Sequence, residues 1–297
     1  MKRIILVSAL LVLSLVALGQ SEFMIPLSKA DFELRGPVKT VKILYPGNAM
    51  ELGIDEEAML SGYSILSFNP LGGLVSQIEY DKEGNEKSAI IFNYDAEGKL
   101  VSVSGRENGV EESIEEIIIE NGRIVSIVVE DTEGDSTIVM EYDEFGRLIS
   151  QKISGISEGE EIEMTISMAY DEKGNLIEEG FGMMGMDLTK TFYEYNEKNQ
   201  RIKESEFMYM FAMLGEDVEP IVSTLEYNEM GDVSIKISDS YWGDEKEAVV
   251  YEYEYDSMGN YISMVAYYVM NIADLETDGW KELAMIEQEQ TREIEYY

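Results

Sequence analysis

The sequence predicts an all-β protein, a long antiparallel β-meander of about 16 strands forming one curled or folded-over sheet. Three observations predict it. A turn motif of the form Tyr-Asp-x-x-Gly recurs along the chain. Turn-like glycines return at roughly 11- to 15-residue intervals between Gly72 and Gly185. Between the turns, apolar and polar residues alternate. In "EIEMTISMAYD", Ile162, Met164, Ile166, Met168 and Tyr170 share one face and Glu163, Thr165 and Ser167 the other, a period of two that no helix would show.

The motif copies explain the punctuation. Full copies are Tyr80-Asp81 with Gly84, Tyr94-Asp95 with Gly98, Tyr142-Asp143 with Gly146, Tyr170-Asp171 with Gly174, and Tyr255-Asp256 with Gly259. Degenerate copies begin at Phe68, Tyr195 and Tyr227. An Asp at the first position of a type I turn can accept from the backbone two residues on, and a left-handed Gly then closes the hairpin with a bulge. Tyr before the Asp packs inward. Leu100, Leu148 and Leu176, two residues after their glycines, return to the same neighbourhood and set the register. Every second turn is expected to carry the motif, with turns such as "ENGR" at Glu120 and "DTEGD" at Asp131 filling in between.

Three stretches break this rhythm: residues 46–61, 208–220 and 271–286. In a meander of tight hairpins, long connections are where contacts with other molecules are expected. Phe207, Tyr209, Phe211 and Trp280 are the candidate partner contacts there, since buried aromatic anchors concentrate binding energy.

The chain opens with Lys2 and Arg3, an apolar run from Ile4 to Leu18, and Ala17-Leu18-Gly19. This reads as a secretory signal peptide over residues 1–19, too short to span a bilayer. Residues 20–297 read as a single domain without a transmembrane segment, placed outside the cytoplasm: periplasmic, secreted or at the cell surface. The chain has no cysteine and no histidine, which excludes disulfides, lipid attachment through cysteine, thiol nucleophiles and zinc sites of the His/Cys type. No cofactor is expected. A formal charge of −38 repels nucleic acid and anionic lipid, which are bound through Lys and Arg. With 45% hydrophobic residues and 19 tyrosines, the chain still has matter for a core.

The Tyr-Asp-x-x-Gly-x-Leu copies resemble the Rhs/YD-repeat proteins. The whole, with "ELRGPVKTVKILY" early and "TREIEYY" at the end, is similar to the small secreted YD-repeat-like proteins of Bacteroidetes-type bacteria. In the large relatives the resemblance implies a spiralled sheet enclosing a toxin domain. This chain is too short to enclose one and lacks an Rhs core signature before a variable end. The family also implies an association with carbohydrate.

The residues raise other chemistry. Sixty acidic side chains make chance carboxylate pairs easy, so a polysaccharide hydrolase needs a cleft and one carboxyl of raised pKa. "DTEGDS" (131–136) and "YDEKGN" place oxygen donors at tight turns but lack the spacing of a calcium loop. Met183, Met184 and Met186 could offer thioethers to Cu(I), and packing explains them better. Tyr193, Tyr195, Tyr251, Tyr253, Tyr255, Tyr267 and Tyr268 could form a platform for sugar rings or simply pack across strands. The reading favoured is a secreted, non-catalytic binding or scaffold protein of the bacterial envelope whose partner is a glycan or an envelope protein. The alternatives are a carboxylate-dependent polysaccharide hydrolase and an outer-membrane β-barrel. Charges on both faces of "RIKESEF" oppose a lipid-facing wall.

Overall fold

Asp171 shows how the chain turns. Its Oδ1 accepts from the amides of Lys173 (2.9 Å) and Asn175 (2.8 Å), and Gly174 follows at φ 92°. That pair of bonds holds a tight turn, and the left-handed glycine brings the chain back as a strand with a bulge. The same geometry repeats at Asp95, Asp143, Asn196, Asn228 and Asp256.

A computed structural model describes residues 28–45, 62–107, 110–112, 116–129, 136–157, 160–209, 219–240 and 245–297. The leader over 1–19, the stretch 46–61, the turn 131–135 and Phe211 therefore lie outside the described residues. The strands are β1 (Val38–Tyr45), β2 (Gly62–Phe68), β3 (Leu74–Asp81), β4 (Glu86–Tyr94), β5 (Leu100–Glu107) and β6 (Val110–Glu112). β7 (Glu116–Glu120), β8 (Arg123–Val129), β9 (Ser136–Tyr142), β10 (Leu148–Ser157), β11 (Glu160–Tyr170) and β12 (Leu176–Met183) follow. The rest are β13 (Met186–Tyr195), β14 (Arg201–Met208), β15 (Ile221–Tyr227), β16 (Val233–Asp239), β17 (Lys246–Tyr255), β18 (Tyr261–Val269) and β19 (Met285–Tyr296).

Successive strands pair antiparallel from β1 to β6 and from β7 to β19, and β1 also pairs with β19. The meander thereby curls into a nearly closed barrel, which removes the exposed edges an open sheet would present. β6 pairs with β5 and β7 with β8. These two short segments occupy one strand position, so the ring has about 18 positions where the sequence suggested about 16.

The meander gives the barrel two unlike ends. Seven of the tight turns, including those after Tyr94, Tyr142, Tyr170 and Tyr255, lie at what we term the motif end, together with the Asn121-Gly122 turn. The long connections after β14, β16 and β18 lie at the opposite, loop end. The Tyr80 copy departs from the expected alternation. Its turn directly precedes the Tyr94 turn, so it falls at the loop end, and Tyr80 faces outward, stacked on Tyr63 at 4.8 Å. "ENGR" likewise belongs to the motif end instead of filling in between.

At the motif end the tyrosines do more than pack. Tyr94, Tyr142, Tyr170, Tyr195 and Tyr227 donate to the carbonyls of Leu74, Ile124, Leu148, Leu176 and Arg201 at 2.8, 2.7, 2.9, 2.7 and 2.5 Å. Each bond crosses from one hairpin to the preceding one and fastens successive repeats together. The glycines stack in the same manner. A Cβ at Gly146 would collide with the Arg123 guanidinium of the preceding turn, and one at Gly259 would meet Met230.

The two faces of the wall differ in chemistry. Register places Val41, Ile43, Leu66, Ile90, Phe92, Ile127, Ile138, Met140, Ile166 and Met168 inside, where all are buried in one apolar cluster. Outside, cross-strand ion pairs recur: Lys42–Glu293 (3.5 Å), Lys152–Glu163 (2.7 Å), Lys190–Glu178 (3.5 Å), Lys203–Glu194 (2.7 Å) and Lys246–Asp239 (3.1 Å). Such a ladder suits a wall in water, since charges at hydrocarbon depth are costly. Among the described residues, no helix is long and apolar enough to cross a membrane.

Candidate functional site

The inner wall is not uniform. From β1 to β12 it is the apolar cluster just described, with Ser64, Gln77, Ser88 and Gln151 buried among it; from β12 to β19 it carries charged and aromatic side chains around a smaller apolar cluster at Met264 and Ala266. The alternation still alternates there, but its inward positions are filled by Glu179, Tyr193, Arg201, Glu204, Lys236, Tyr251, Tyr253, Arg292 and their neighbours.

The middle of this sector is an ionic chain. Glu204 accepts from Lys236 Nζ at 2.6 Å and pairs with Arg201 at 3.1 Å. Burial pushes the Glu204 carboxyl up, but Lys236 and Arg201 outweigh it and hold it below its ordinary value. The Arg201 guanidinium lies 4.0 Å over the Tyr193 ring, whose phenol donates to Glu179 at 2.9 Å. Toward the loop end, Ser223 and Ser238 share a hydrogen bond of 2.8 Å and Tyr268 donates to Glu247 at 2.6 Å. Glu287, on the bulge of β19, is raised by burial.

Beside the ionic chain runs an aromatic ladder on β17. Tyr251, Tyr253 and Tyr255 occupy successive inward positions with ring centroids 6.3 and 5.8 Å apart. Burial raises the phenols of Tyr251 and Tyr253, the former to about 12, so both are neutral donors at any physiological pH. The Tyr255 hydroxyl donates to Asp232 (2.7 Å) and accepts from Asn228 (2.8 Å).

The motif end of this sector is covered by residues 28–36. Ser28 bridges to Gly73, and the Lys29 amide donates to Gly72 O at 2.8 Å. Phe32 and Leu34 are buried against the apolar cluster, Phe32 edge-on to Phe68 at 5.8 Å. Arg35 ends the crossing: its amide donates to Asn260 Oδ1 (2.6 Å), and its guanidinium donates to the carbonyls of Gly259 and Met230 and faces Asp232 at 3.6 Å. Between them Glu33, at φ 57°, points inward. It is exposed to solvent, and the charges of Asp232, Arg292, Arg35 and Arg201 act on it. Partial burial and the neighbouring Asp232 push its carboxyl up to about 7 against Arg292, Arg35 and Arg201.

The predicted contact residues are dispersed. Phe207 lies on the outer face of β14, edge-on to Phe192 at 5.8 Å and stacked near Tyr209 at 6.1 Å. It is a strand residue, because the alternation runs on to Met208. Trp280 belongs to a short 3-10 helix, Trp280–Glu282, and packs edge-on to Tyr267 at 5.6 Å on the outer wall. Residues 271–286 thus hold two 3-10 turns, Ile272–Glu276 and Trp280–Glu282, and the first residues of β19. Of the seven platform tyrosines, Tyr193, Tyr195, Tyr251, Tyr253, Tyr255 and Tyr268 face inward, and Tyr267 faces out. Met184 and Met186 are exposed at the β12–β13 turn. Among the described residues no group of His, Cys, Asp and Glu is placed to hold a metal ion.

Sequence reasoning missed the ionic chain and residues 28–36 as a cover. The available signal was charge at inward positions: Glu204 and Glu206 share the parity that Leu and Ile hold in other strands.

Comparison with known proteins adds distant likenesses of β architecture. A porin-like protein from Bacteroides uniformis is 12% identical, with 88% of this chain and 98% of that one covered at a TM-score of 0.41. The TcdB2-TccC3 protein is 13% identical over 69% of this chain, with a TM-score of 0.32; the matched part spans 13% of its own length. A protein of unknown function from Bacteroides fragilis is 15% identical over 51% of this chain and 89% of that one, at a TM-score of 0.17. No protein-family profile matches the chain, and no curated protein sequence matches it. The curled meander expected from the repeats is what the chain forms, and of the readings raised by the sequence its nearly closed ring has the architecture of the β-barrel alternative.

Proposed function

We propose that the protein is an exported barrel of the YD-repeat-like type that binds a polyhydroxylated chain, a glycan segment, along its inner polar sector without turning it over. One observation carries this reading: the Tyr251–Tyr253–Tyr255 ladder runs along the barrel axis beside a row of charged hydrogen-bonding groups. Rings offer flat apolar faces, and Arg201, Glu204, Lys236 and the serines offer donors and acceptors to hydroxyls. The ion-pair ladder on the outer wall favours a barrel in water over one in lipid.

Glu33 with Asp232 is the pairing that a hydrolase would need, one raised carboxyl beside another. Asp232, however, is held by Tyr255 and Arg35, which favours a structural role for it. The test uses the mature chain with a panel of oligosaccharides. Binding followed by tyrosine fluorescence is expected, lost in Tyr253→Ala, with mass spectrometry recovering the ligand intact. Absence of binding to every member, or release of product that Glu33→Gln abolishes, overturns the reading. Partition of the mature chain into detergent or membrane overturns the water-facing wall.

A further inference from the structure

In the repeated turns of the motif end, the residue after the left-handed turn position carries a polar side chain that braces the turns. Arg147 follows Gly146. Its Nε donates to Asp143 Oδ2 at 2.6 Å, its Nη1 donates to the Asp171 carbonyl of the next turn at 3.2 Å, and its guanidinium lies 4.8 Å over the Tyr170 ring. Arg123 follows Gly122 and lies over Tyr142 at 5.8 Å. Asn175 and Gln200 hold the same position, bonded to the Asp171 and Asn196 side chains at 2.8 and 3.0 Å. Register identifies the position without ambiguity. The residue after it is the one whose carbonyl accepts from the following tyrosine: Ile124 from Tyr142, Leu148 from Tyr170, Leu176 from Tyr195 and Arg201 from Tyr227.

The β2–β3 turn departs from this plan. Its carbonyl acceptor is Leu74, reached by Tyr94 at 2.8 Å, so the bracing position is Gly73, which has no side chain to send. A Cβ there would point between the Asn69 amide nitrogen (2.9 Å) and the Tyr94 ring (3.4 Å), as Arg147 runs between Asp143 and Tyr170. A pocket of about 600 Å³ lies at this place, bordered by Asn69, Ser76, Asn93, Tyr94 and Asp95, and it opens to solvent past the exposed Asn93 and Asp95. Lys29, whose stem lies against Gly72, turns away and donates from Nζ to the Gly36 carbonyl at 2.6 Å. The border is rich in acceptors. The Asp95 carbonyl takes the Gly98 amide, just as the Asp171 carbonyl takes that of Gly174 and still accepts from Arg147. Asp95 Oδ1 accepts from the amides of Glu97 and Lys99, which leaves Oδ2 for another donor. Asn93 uses Nδ2 on Ser102 at 3.0 Å and presents its Oδ1. Asn69 differs from Asp143 in offering an amide where Asp143 has a second carboxylate oxygen, so a donor entering here leans on Asp95.

We propose that the pocket between the β2–β3 and β4–β5 turns binds a guanidinium group, the side chain of an arginine carried by a partner polypeptide. The incoming group takes the place that Arg123 and Arg147 take at their own turns. A planar guanidinium stacks on a tyrosine face while its edge donates to carbonyl and carboxylate oxygens, a combination that an ammonium reproduces poorly. The formal charge of −38 draws a basic segment toward the barrel. The pocket lies on the apolar side of the ring, away from the inner polar sector, so it stands independently of the glycan reading.

The test titrates the mature chain with the blocked tripeptide acetyl-Gly-Arg-Gly-amide at about 0.15 M salt, followed by amide NMR. Shifts are expected at Asn69, Ser76, Asn93, Tyr94 and Asp95. The same peptide with citrulline, its uncharged isostere, or with lysine is expected to bind about ten-fold more weakly. Gly73→Arg supplies the guanidinium from within the chain. It is expected to abolish binding and to melt about 2 °C above Gly73→Ala, which carries the same loss of backbone freedom without the cation. Asp95→Asn keeps the turn, since Asn196 and Asn228 hold theirs, and is expected to weaken the arginine peptide about ten-fold. Equal binding of the lysine or citrulline peptide overturns the proposal, as do shifts scattered over the acidic surface or binding that survives in Gly73→Arg. Should Gly73→Arg not fold, Asp95→Asn carries the decision, and an unchanged affinity there overturns the site.

Discussion

The phenol of Tyr170, at the end of β11, donates a hydrogen bond of 2.9 Å to the carbonyl of Leu148, at the start of β10. The tyrosine belongs to one turn motif and the leucine to the motif before it. The repeat therefore specifies the joint between hairpins as well as the hairpin itself.

Removing that hydroxyl is expected to loosen the joint. Tyr170→Phe and Tyr195→Phe each leave a part-buried carbonyl without its donor and are expected to cost about 1 kcal/mol. Tyr80→Phe, whose ring stacks outward on Tyr63, is expected to cost less than about 0.5 kcal/mol. Chemical denaturation of the three variants checks the contrast; equal losses would show that the joint contributes nothing.

Glycine positions separate conformation from space. Gly185 has φ 75° and open surroundings, whereas Gly146 has φ 82° and the Arg123 guanidinium where a Cβ would lie. Gly185→Ala is expected to cost about 1 kcal/mol from the left-handed backbone alone. Gly146→Ala is expected to cost more, roughly 2 kcal/mol, because Arg123 must also move. Thermal melts giving the reverse order would contradict the stacking of turns. Gly174→Val, with a β-branched side chain at φ 92°, is expected to exceed Gly185→Ala.

Asp81, Asp143, Asp171 and Asp256 are held below the ordinary carboxylate value. Asn85 donates to Asp81 through its side chain (2.9 Å) and its amide (2.8 Å), which holds the Asp81 carboxyl below its ordinary value of 3.8. The contribution of this turn is accordingly complete above pH 3.8 and lost as pH falls through the lower folded value. An NMR titration is expected to place the Asp81 midpoint below 3.8 and Asn85→Ala to raise it. A midpoint that ignores Asn85 would remove the side-chain bond as its cause.

Inside the barrel, Lys236→Met deprives Glu204 of its closest cation. We expect a loss of about 2 kcal/mol, largely recovered when Glu204→Gln is added, since the penalty is an uncompensated charge. A double variant as unstable as the single one would assign the loss to packing.

Much of the architecture was legible because it is local. The alternation in "EIEMTISMAYD" and the Asp and Gly of each turn act within a dozen residues, and the all-β meander follows from them. What acts at a distance was not. Whether β19 meets β1 depends on accumulated twist around the ring, which no turn records. Tyr80 matches the Tyr-Asp-x-x-Gly part of the motif, with Glu86 where Leu100, Leu148 and Leu176 stand in other copies, and it faces outward because its turn is at the other end. Phe207 read as a loop aromatic because the alternation near it is weak, while Arg201, Glu204 and Lys236 read as surface charge until the closed wall placed them inside.

The meeting of β1 with β19 also governs how the chain can fold. Lys39 and Glu295 are 256 residues apart in sequence, and their side chains meet across this seam at 3.4 Å. Every hairpin can form as it emerges, but the seam cannot be zipped until the final strand is present, so closure is a late and slow event. Until then the chain carries two unpaired sheet edges with their apolar face uncovered, the state most prone to stick to other chains. Loss of the last few residues would make that state permanent, turning a nearly closed cylinder into an open ribbon.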